Sequence, residues 1–369
     1  MAIAIEQYRE DLIPAVKSFN SRLTSGGAPA EFRFPEHHIP KWLPKINGRK
    51  LYQEYFVALD QAAVRGGYIL KYQEFAICGT VKRIGYYHLP LSEGIVNKAY
   101  ASIGVHMLRH ALKSEPLLFA LGMGGMDHPL PRMLKAMGWN MCAVPFYLKV
   151  NQPYRFLKNI AVLRRTPLRR LAMDMAAVTG TGWGAITVLQ GIRAKRTVTT
   201  SAALVPEFEA WSDALFEKCK PRYLMLARRD RECLNILYPP GSKFLRVQVT
   251  REEETIGWAV LLDTEKVDDK YFGSLRVGSI VDCLALPEHA AAVIGAATRI
   301  LAMRGVDVIV SNQSHSCWRT ALKSAGFLKG PSNFIFAASQ GLTELLSPFD
   351  HNRNEIFFNR GDGDGPINL

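Results

Sequence analysis

Six consecutive segments in the first half show a clear pattern of strands and helices: LYQEYFVALD (51–60), GGYILKYQEF (66–75), YYHLPLSEG (86–94), NKAYASIGVHMLRHAL (97–112), LLFALGM (117–123) and PRMLKAMGW (131–139). The first three and the fifth are rich in aromatic and branched apolar residues, which favours strands. The fourth repeats apolar residues at helical spacing, and the sixth is a short helical segment that ends near Gly138. A strand and helix over 3–23 precede these segments and the strand VPFYLKV (144–150) follows. The first half therefore has the predicted order β-α-β-β-β-α-β-α-β.

The second half repeats this order more loosely. Its segments are the helix 207–220, the strands 244–251, 255–263 and 277–286, the helix 289–305, the strand 306–312, the helix 318–327 and the strand 333–339. At 369 residues the chain also exceeds what one hydrophobic core commonly supports. The sequence therefore predicts an α/β (α+β) protein of two tandem domains, each with a mixed, mostly antiparallel central sheet flanked by helices. Within the first sheet, Gly66–Gly67 is predicted to form a hairpin turn.

The two copies also predict the domain boundaries. We expect an N-terminal domain at 1–150, a basic helical linker at 151–204, a C-terminal domain at 205–345 and a tail at 346–369. Residues 151–200 contain nine basic residues and one acidic residue, a net charge of +8 out of the +13 of the whole chain. Such a surface favours anionic partners, and we expect residues 155–196 to contact either an anionic membrane surface or tRNA.

A run of 18 uncharged residues, MAAVTGTGWGAITVLQGI (175–192), lies within this linker between basic residues. Its length is close to that of a membrane span, but its glycine and threonine content makes it weakly apolar. The other two interpretations are a basic helix lying on a membrane and an interdomain helical linker. We favour the linker, and no transmembrane span is predicted.

The cysteines and the first residues of the chain indicate the cellular compartment. The six cysteines lie far apart without a Cys-x-x-Cys pair, and charged residues such as Glu6 and Arg9 interrupt any apolar run near the start. Both observations favour a reducing cytoplasm, and the basic linker adds a location at the inner face of the membrane. No metal site is predicted, because His106 and His110 share a helix face without an evident third ligand.

The order of elements resembles that of the GNAT superfamily of acyl-CoA-dependent acyltransferases. The likeness includes a closing helix, then Ala-Met-Gly-Trp (136–139) or Ser-Ala-Gly-Phe (324–327), then a strand. The chain is also similar to Fem-type peptidoglycan aminoacyltransferases. In its ending NRGDGDGPINL (359–369) it resembles double-GNAT proteins of bacterial polysaccharide and cell-envelope biosynthesis. The resemblance implies acetyl-CoA or another acyl-CoA as co-substrate and a small-molecule or saccharide-like acceptor.

The resemblance also implies a pyrophosphate site at a glycine-rich turn before a helix, where backbone N–H groups face the phosphates. In the first half the matching window, 99–104, keeps the final glycine but lacks the basic residue and the first glycine. The window of the second half, 286–291, has no glycine and places Glu288 where a phosphate would bind. We therefore favour the first half for acyl-CoA. The candidate cofactor-binding residues are Leu91, Lys98, Ala101, Ser102, Ile103 and Gly104.

Acyl transfer to an amine or hydroxyl needs a general base near the end of the fourth strand. His88 and Glu93 occupy that place in the first half. In the second half Asp282 interrupts an apolar strand, and Asn312 and His315 follow the next strand, where the two strands are expected to diverge. These five residues are the catalytic candidates, and a structural role is the alternative for each. Neither closing helix contains the tyrosine that the superfamily often uses as an acid.

The functional hypothesis is acyl transfer from acyl-CoA to an amine or hydroxyl of a sugar-like or cell-envelope precursor. The acceptor would attack directly, without a covalent enzyme intermediate. One alternative is an aminoacyl-tRNA-dependent transferase of the Fem type, in which the basic linker would contact the RNA. The other alternative is a non-catalytic binding module that has lost the use of the cofactor.

Overall fold

The alternating segments of the first half form the strands that their pattern predicts. The computed structural model describes residues 3–192 and 200–363 of the chain. It divides into two units, of which unit 1 comprises Met1–Cys142 and Ile335–His351. The elements of unit 1 are β1 (Ile3–Gln7), α1 (Ile13–Ser25), β2 (Tyr52–Asp60), β3 (Ala63–Ile77), β4 (Thr80–Ser92), α2 (Ile103–Ser114), β5 (Leu118–Gly122), α3 (Pro129–Ala136), β6 (Asn140–Ala143), β15 (Ile335–Ala338) and α11 (Gln340–Leu345).

The sheet of unit 1 has the order β1-β2-β3-β4-β5-β15-β6. β1 to β4 are antiparallel neighbours, β5 joins β4 in parallel, and β15 joins β5 antiparallel. Helix α2 packs on one face of the sheet with Tyr68, Leu70 and Tyr87, and α1 packs on the other face with Val57 and Ile69. The sheet is therefore covered on both faces, as in other α/β layers.

The second half forms a sheet of the same kind. Unit 2 comprises Ala143–Phe334 and Asn352–Leu369, and its sheet has the order β14-β7-β13-β12-β11-β10-β8, with β12 and β13 parallel. The elements are β7 (Phe146–Val150), α4 (Pro153–Asn159), α5 (Pro167–Val178), α6 (Thr181–Gly191), β8 (Ser201–Val205), α7 (Ala210–Cys219), β9 (Met225–Ala227), α8 (Arg231–Leu237), β10 (Leu245–Arg251), β11 (Glu254–Glu265), β12 (Arg276–Ala285), α9 (Ala290–Met303), β13 (Val308–Asn312), α10 (Ser316–Ser324), β14 (Leu328–Gly330) and α12 (Phe349–Asn352), where the chain enters unit 2 again. The predicted fold class, two mixed and mostly antiparallel sheets flanked by helices, is confirmed.

The last strands of the two sheets do not follow the predicted boundary at residue 150. β7 was expected to close the first sheet, but it pairs antiparallel with β13, where Val150 lies opposite Val308. β15 was expected in the second sheet, but it pairs antiparallel with β5, where Ile335 lies opposite Gly122. Both are short apolar strands, so the residue pattern identifies them as strands without identifying their partners.

The segment 151–204 was predicted as a linker, and its described part is instead built into unit 2. Helices α4, α5 and α6 confirm the expected helical structure. Phe156 and Leu157 of α4 and Ala177 of α5 are buried in one core with Val277 and Val308 of the sheet. The basic residues Arg193, Lys195 and Arg196 of the predicted contact surface lie outside the described residues.

The segment 346–369 was predicted as a tail, but residues 346–351 belong to unit 1 and residues 352–363 are built into unit 2. Ile356, Phe357, Phe358 and Asn359 are all buried. Backbone atoms of Ile356 and Phe358 bond to Ser314, and the side chain of Asn359 bonds to Asp282. Residues 364–369 of the predicted tail lie outside the described residues.

The predicted hairpin turn at Gly66–Gly67 is wrong, because both glycines lie inside the long strand β3. The turn between β2 and β3 is at residues 61–62. A Cβ atom at Gly66 would lie 2.9 Å from Ile103 Cγ2, and one at Gly67 would lie 2.9 Å from the ring of Phe34. The glycines therefore allow α2 and Phe34 to approach the sheet closely, which is a common role of glycine within strands.

The hydrophobic run in the basic segment does not form a membrane span. Within 3–192 and 200–363, every helix is too short or too polar to cross a bilayer.

Candidate active site

Two parallel strands of unit 1 diverge at the centre of its sheet. β4 and β5 pair at Gly85–Leu118 and Tyr86–Phe119. Directly beyond that point β4 contains a bulge. Ile69 of β3 lies opposite His88 and Gly67 lies opposite Leu91, so β4 has one more residue than β3 between these two pairs. Leu89 within the bulge has a φ of 45°, which is uncommon for a side chain with a Cβ. Bulges occur frequently beside active sites, where they redirect side chains and backbone groups.

The side chains around the bulge combine an imidazole, a phenol and an ammonium group. Tyr86 stacks on Phe119 at a centroid distance of 4.9 Å, and its hydroxyl donates to Leu121 O (3.1 Å), which joins the two strands. The ring of His88 lies 5.2 Å from that of Tyr86. Lys71 of β3 lies opposite Tyr86 and is fully buried, with its Nζ 5.2 Å from the centre of the Tyr86 ring. A histidine at such a place can accept a proton, and a nearby cation can stabilise developing negative charge.

Lys71, Gln73 and Trp42 extend this cluster, and none of them was predicted from the sequence. Lys71 Nζ lies 5.6 Å from the centre of the Trp42 ring. Gln73 is buried on the same face of β3, and neither its amide oxygen nor its amide nitrogen has a hydrogen-bond partner among the described residues; the same is true of Trp42 Nε1. Unpaired buried polar atoms are rare and call for an explanation, such as a bound polar ligand. The available signal was a lysine within the apolar strand YILKYQEF, at an inward-facing position.

Glu93, the second predicted base of unit 1, is held by two arginines. Its carboxylate accepts hydrogen bonds from Arg22 Nε (3.0 Å) and Arg65 Nη1 (3.0 Å), and the side chain is 4% exposed. Arg65 is itself stacked on the ring of Tyr100, at 4.4 Å. Because both carboxylate oxygens are engaged by guanidinium groups, the arrangement favours a structural role for Glu93 over that of a proton acceptor.

The predicted cofactor-binding residues surround the start of α2. Lys98, Ala101 and Ser102 are exposed there, whereas the side chains of Leu91 and Ile103 are buried in the two cores of unit 1. Gly104 is half-buried. The helix begins at Ile103 without a side-chain cap and with no acidic residue in its first turn. The first N–H groups of a helix have no intrahelical partners and attract anions.

In unit 1 a crevice lies where β4 and β5 diverge. The corresponding crevice of unit 2, between β12 and β13, is occupied by the chain itself. β12 and β13 pair as far as Ile280–Ser311, and β12 then bulges at Val281. Beyond the bulge, Asp282 is fully buried and accepts four hydrogen bonds, and its donors are Arg229 Nε (2.7 Å), Tyr238 Oη (2.7 Å), Asn359 Nδ2 (2.8 Å) and Cys283 N (2.9 Å). All four donors belong to the chain itself, so the arrangement favours a structural role for Asp282 over the predicted catalytic one.

The segment 356–363 lies between the diverging ends of β12 and β13. Ser314 N donates to Phe358 O (3.0 Å), and Arg360 Nε donates to Asn312 Oδ1 (3.0 Å). A Cβ atom at Gly361 would lie 2.7 Å from Asp282 Oδ2, so the segment is in close contact with the strand. Asn312 and Asp282 therefore hold this segment in place, and the segment fills the crevice between β12 and β13.

His315 belongs to a separate pocket of about 500 Å3 beside α9 and α10, which Arg222, Glu288 and Glu355 also line. Its Nδ1 accepts from Cys317 N (3.2 Å) and lies 3.0 Å from Cys317 Sγ, while its Nε2 lies 3.2 Å from Glu355 Oε2, without the angle of a hydrogen bond. Burial lowers the pKa of His315 to about 4 and raises the pKa of the Cys317 thiol to about 12. The pair is therefore neutral near pH 7, and Cys317 is not an activated thiolate.

We expect His315 to make unit 2 sensitive to acid. The unfolded chain binds a proton at this histidine below its ordinary pKa of 6.5, whereas the folded chain does so only near 4, so stability falls as pH falls between these values. Between pH 7 and pH 5 this loss amounts to about 2 kcal/mol. In His315→Asn, whose amide oxygen can still accept from Cys317 N, urea unfolding should show a correspondingly smaller loss. Equal losses in both proteins would contradict the assignment.

The two units define the molecule as an α/β protein with the GNAT fold, a sheet with a central pair of parallel strands that diverge at a bulge. A GCN5-related N-acetyltransferase from Anabaena variabilis is 8% identical, with a TM-score of 0.50 over 91% of this chain and 72% of that chain. A conserved protein of unknown function from Enterococcus faecalis, described as a probable N-acyltransferase, is 9% identical, with a TM-score of 0.51 over 94% of this chain and 74% of that chain.

The fold is also similar to that of the N-myristoyltransferase of Saccharomyces cerevisiae, solved with bound myristoyl-CoA. That protein is 8% identical, with a TM-score of 0.51 over 91% of this chain and 82% of that chain. No family model and no curated protein matches the sequence. At such low identity the likeness shows the fold alone, and it confirms the resemblance to the GNAT superfamily at that level.

Proposed function

We propose that the chain is an acyl-CoA-dependent acyltransferase and that the reaction takes place in unit 1, where β4 and β5 diverge. The observation that carries this proposal is the bulge at His88–Leu91 beside the parallel pair, with His88, Tyr86 and Lys71 around it. Unit 2 has the same bulge, but the segment 356–363 fills its crevice. Structural neighbours that act on acyl groups support acyl transfer in general terms.

In the proposed reaction an amine or hydroxyl of the acceptor attacks the thioester carbonyl of acyl-CoA. His88 accepts the proton that the acceptor loses, and a backbone N–H group at the bulge polarises the carbonyl oxygen. The bond between the carbonyl carbon and the sulfur then breaks, and the CoA thiolate leaves and takes up a proton. The phosphates of CoA would bind at the start of α2, close to Lys98, Ala101 and Ser102.

The acceptor that we propose is a sugar-like or cell-envelope precursor, and acetyl-CoA is one of the candidate donors. Both parts of this proposal rest on the resemblance to double-GNAT proteins. The proposal also includes a cytoplasmic location at the inner membrane face and an anionic partner for the basic segment 155–196, whose residues 193–196 lie outside the described residues.

The first test is calorimetric binding of acetyl-CoA and longer acyl-CoAs to the full chain and to Ala101→Glu. Ala101 is exposed directly before α2, so the new carboxylate should repel the pyrophosphate and weaken binding at least tenfold. Ser114→Glu is a suitable control, because it adds the same charge at the exposed far end of α2, about 18 Å away along the helix. Equal binding by both variants would contradict the proposed site.

A failure of the unaltered protein to bind any acyl-CoA would favour one of the two alternatives. A Fem-type transferase should bind aminoacyl-tRNA with an affinity that falls steeply as salt rises, through basic side chains such as Arg165 and Arg170. A non-catalytic module should bind neither ligand.

A further inference from the structure

We propose that helices α5 and α6 attach the protein to a membrane surface that contains anionic phospholipid. This inference rests on the membrane location proposed above, to which it assigns a surface and a lipid class, and it does not depend on acyl transfer. Helices α5 and α6 expose an apolar surface, hydrogen bonds fix them to unit 2, and basic groups lie beside them.

Helix α5 exposes an apolar stripe to solvent. Leu168, Leu171, Met175 and Val178 recur at intervals of three and four residues, which places them on one side of the helix. Leu168 is 77% exposed and Val178 is 70% exposed. The opposite side of the helix carries Ala177, which is buried in the core of unit 2. The usual amphipathic pattern is therefore doubled, with one apolar side inward and a second apolar side outward.

Helix α6 continues this surface. It packs against α5 and turns Ile186 toward the same core. Its remaining large apolar side chains are exposed, and they include Trp183, Val188, Leu189 and, directly after the helix, Ile192 at 79% exposed. Eight large apolar side chains thus face away from unit 2 on two adjacent helices. Contiguous apolar surface of this kind marks an interaction site.

These helices are fixed to unit 2, so their outer faces have a defined direction. The amide of Gln190 on α6 makes two hydrogen bonds with the backbone of Val150, at 2.7 Å and 3.0 Å. Arg164 before α5 donates two hydrogen bonds to Asp174 on α5, at 2.8 Å and 3.1 Å, and Lys158 of α4 is also ion-paired with Asp174. These bonds hold the pKa of Asp174 at about 2. The exposed apolar side chains therefore project from two helices, α5 and α6, that these polar contacts hold in place.

Basic groups lie beside the apolar surface. A pocket of about 460 Å3 is lined by Arg164, Arg165, Arg170 and Lys270. Arg169 is exposed on α5, and neither it nor Arg165 has an acidic partner among the described residues. Because arginines pair with phosphate groups and aliphatic side chains enter the acyl boundary, the combination matches a phospholipid interface. A nucleic acid would pair with the arginines and leave Leu168 and Ile192 in water, which is why we favour the membrane.

The test is flotation of the full-length protein with vesicles of phosphatidylcholine alone and with vesicles that also contain phosphatidylglycerol, whose negative surface potential attracts basic side chains. We expect binding to the anionic vesicles only. Leu171→Glu/Val178→Glu should lower that binding at least tenfold, and Arg165→Glu/Arg169→Glu should lower it similarly and remove its dependence on salt. The matched control is Ile39→Glu/Met303→Glu, which alters two apolar residues elsewhere that are at least as exposed, and this variant should bind normally.

Three outcomes would overturn the proposal. One is the absence of flotation with anionic vesicles at low salt, and another is unchanged flotation of the Leu171→Glu/Val178→Glu variant. The third combines two results: the unaltered protein does not bind vesicles, and light scattering shows a dimer that the Leu171→Glu/Val178→Glu substitutions convert to a monomer. The surface would then join two copies of the chain. Acyl-CoA binding, measured separately, is not expected to change in any of these variants, so a failure of the acyltransferase proposal would be recognised independently.

Discussion

Replacement of Arg229 by methionine is expected to lower the free energy of unfolding by about 3–5 kcal/mol, the largest loss of stability that we predict for one side chain. Arg229 is 2% exposed, and it is ion-paired with the buried carboxylates of Asp282 and Asp362. Burial alone would lower its pKa, but the two carboxylates raise it. Methionine fills most of the space and removes the charge, so two carboxylates would remain buried without their cation.

The matched control is Arg222→Met, which removes one partner of the exposed ion pair with Glu288. Pairs at the surface contribute about 0–1 kcal/mol, so this variant should be nearly as stable as the unaltered chain in urea. Equal stability of the two variants would show that the buried pair does not stabilise the fold.

The same network accounts for the prediction of Asp282 as a catalytic residue. An aspartate within an apolar strand indicates either a functional site or a buried ion pair, and the sequence alone does not distinguish the two. Arg229 lies 53 residues and Asn359 lies 77 residues from Asp282 in the chain. Asp362, the second carboxylate bound to Arg229, lies 133 residues from that arginine. Contacts at such separations leave no periodic signal, so the role of the final segment was not predictable.

The order of helices and strands was predictable because it depends on local residue patterns. Apolar alternation in segments such as 244–251 and helical spacing in 289–305 reflect which side of each element is buried. The partner of an apolar strand is a different matter: β7 and β15 were both identified as strands, and each was assigned to the wrong sheet. Gly66–Gly67 was misassigned because the sequence does not show that α2 and Phe34 approach β3 there.

The candidate site was only partly predictable for a related reason. His88 was found because it lies near the end of the fourth strand, whereas Lys71 and Gln73 belong to the neighbouring strand and reach the same face only through the pairing of β3 with β4. Glu93 was chosen for its place in the chain, and the two arginines that engage it come from α1 and β3. Position along the chain therefore indicated the region of the site better than the roles of its side chains.

Replacement of His88 by alanine is expected to lower kcat by about 10²–10⁴, the contribution of a positioned general base. The assay would follow release of the CoA thiol from an acyl-CoA in the presence of amino-sugar and hydroxyl acceptors. Acyl-CoA affinity should stay unchanged, because the proposed phosphate contacts lie at the start of α2, away from the imidazole. A loss of affinity without a change in kcat would give His88 a binding role instead.

The control for this experiment is His106→Ala. His106 is an exposed histidine of the same unit whose Nδ1 bonds to Ser102 O (2.9 Å), and its removal should leave turnover almost unchanged. Lys71→Met, which keeps the aliphatic stem against Tyr86 and Trp42, tests the second group of the cluster. If the buried ammonium stabilises the oxyanion of the transition state, this variant should lower kcat more than it raises KM. Normal turnover in both His88→Ala and Lys71→Met would remove the proposed chemistry from this face of unit 1, because no proton acceptor and no cation would then remain assigned there.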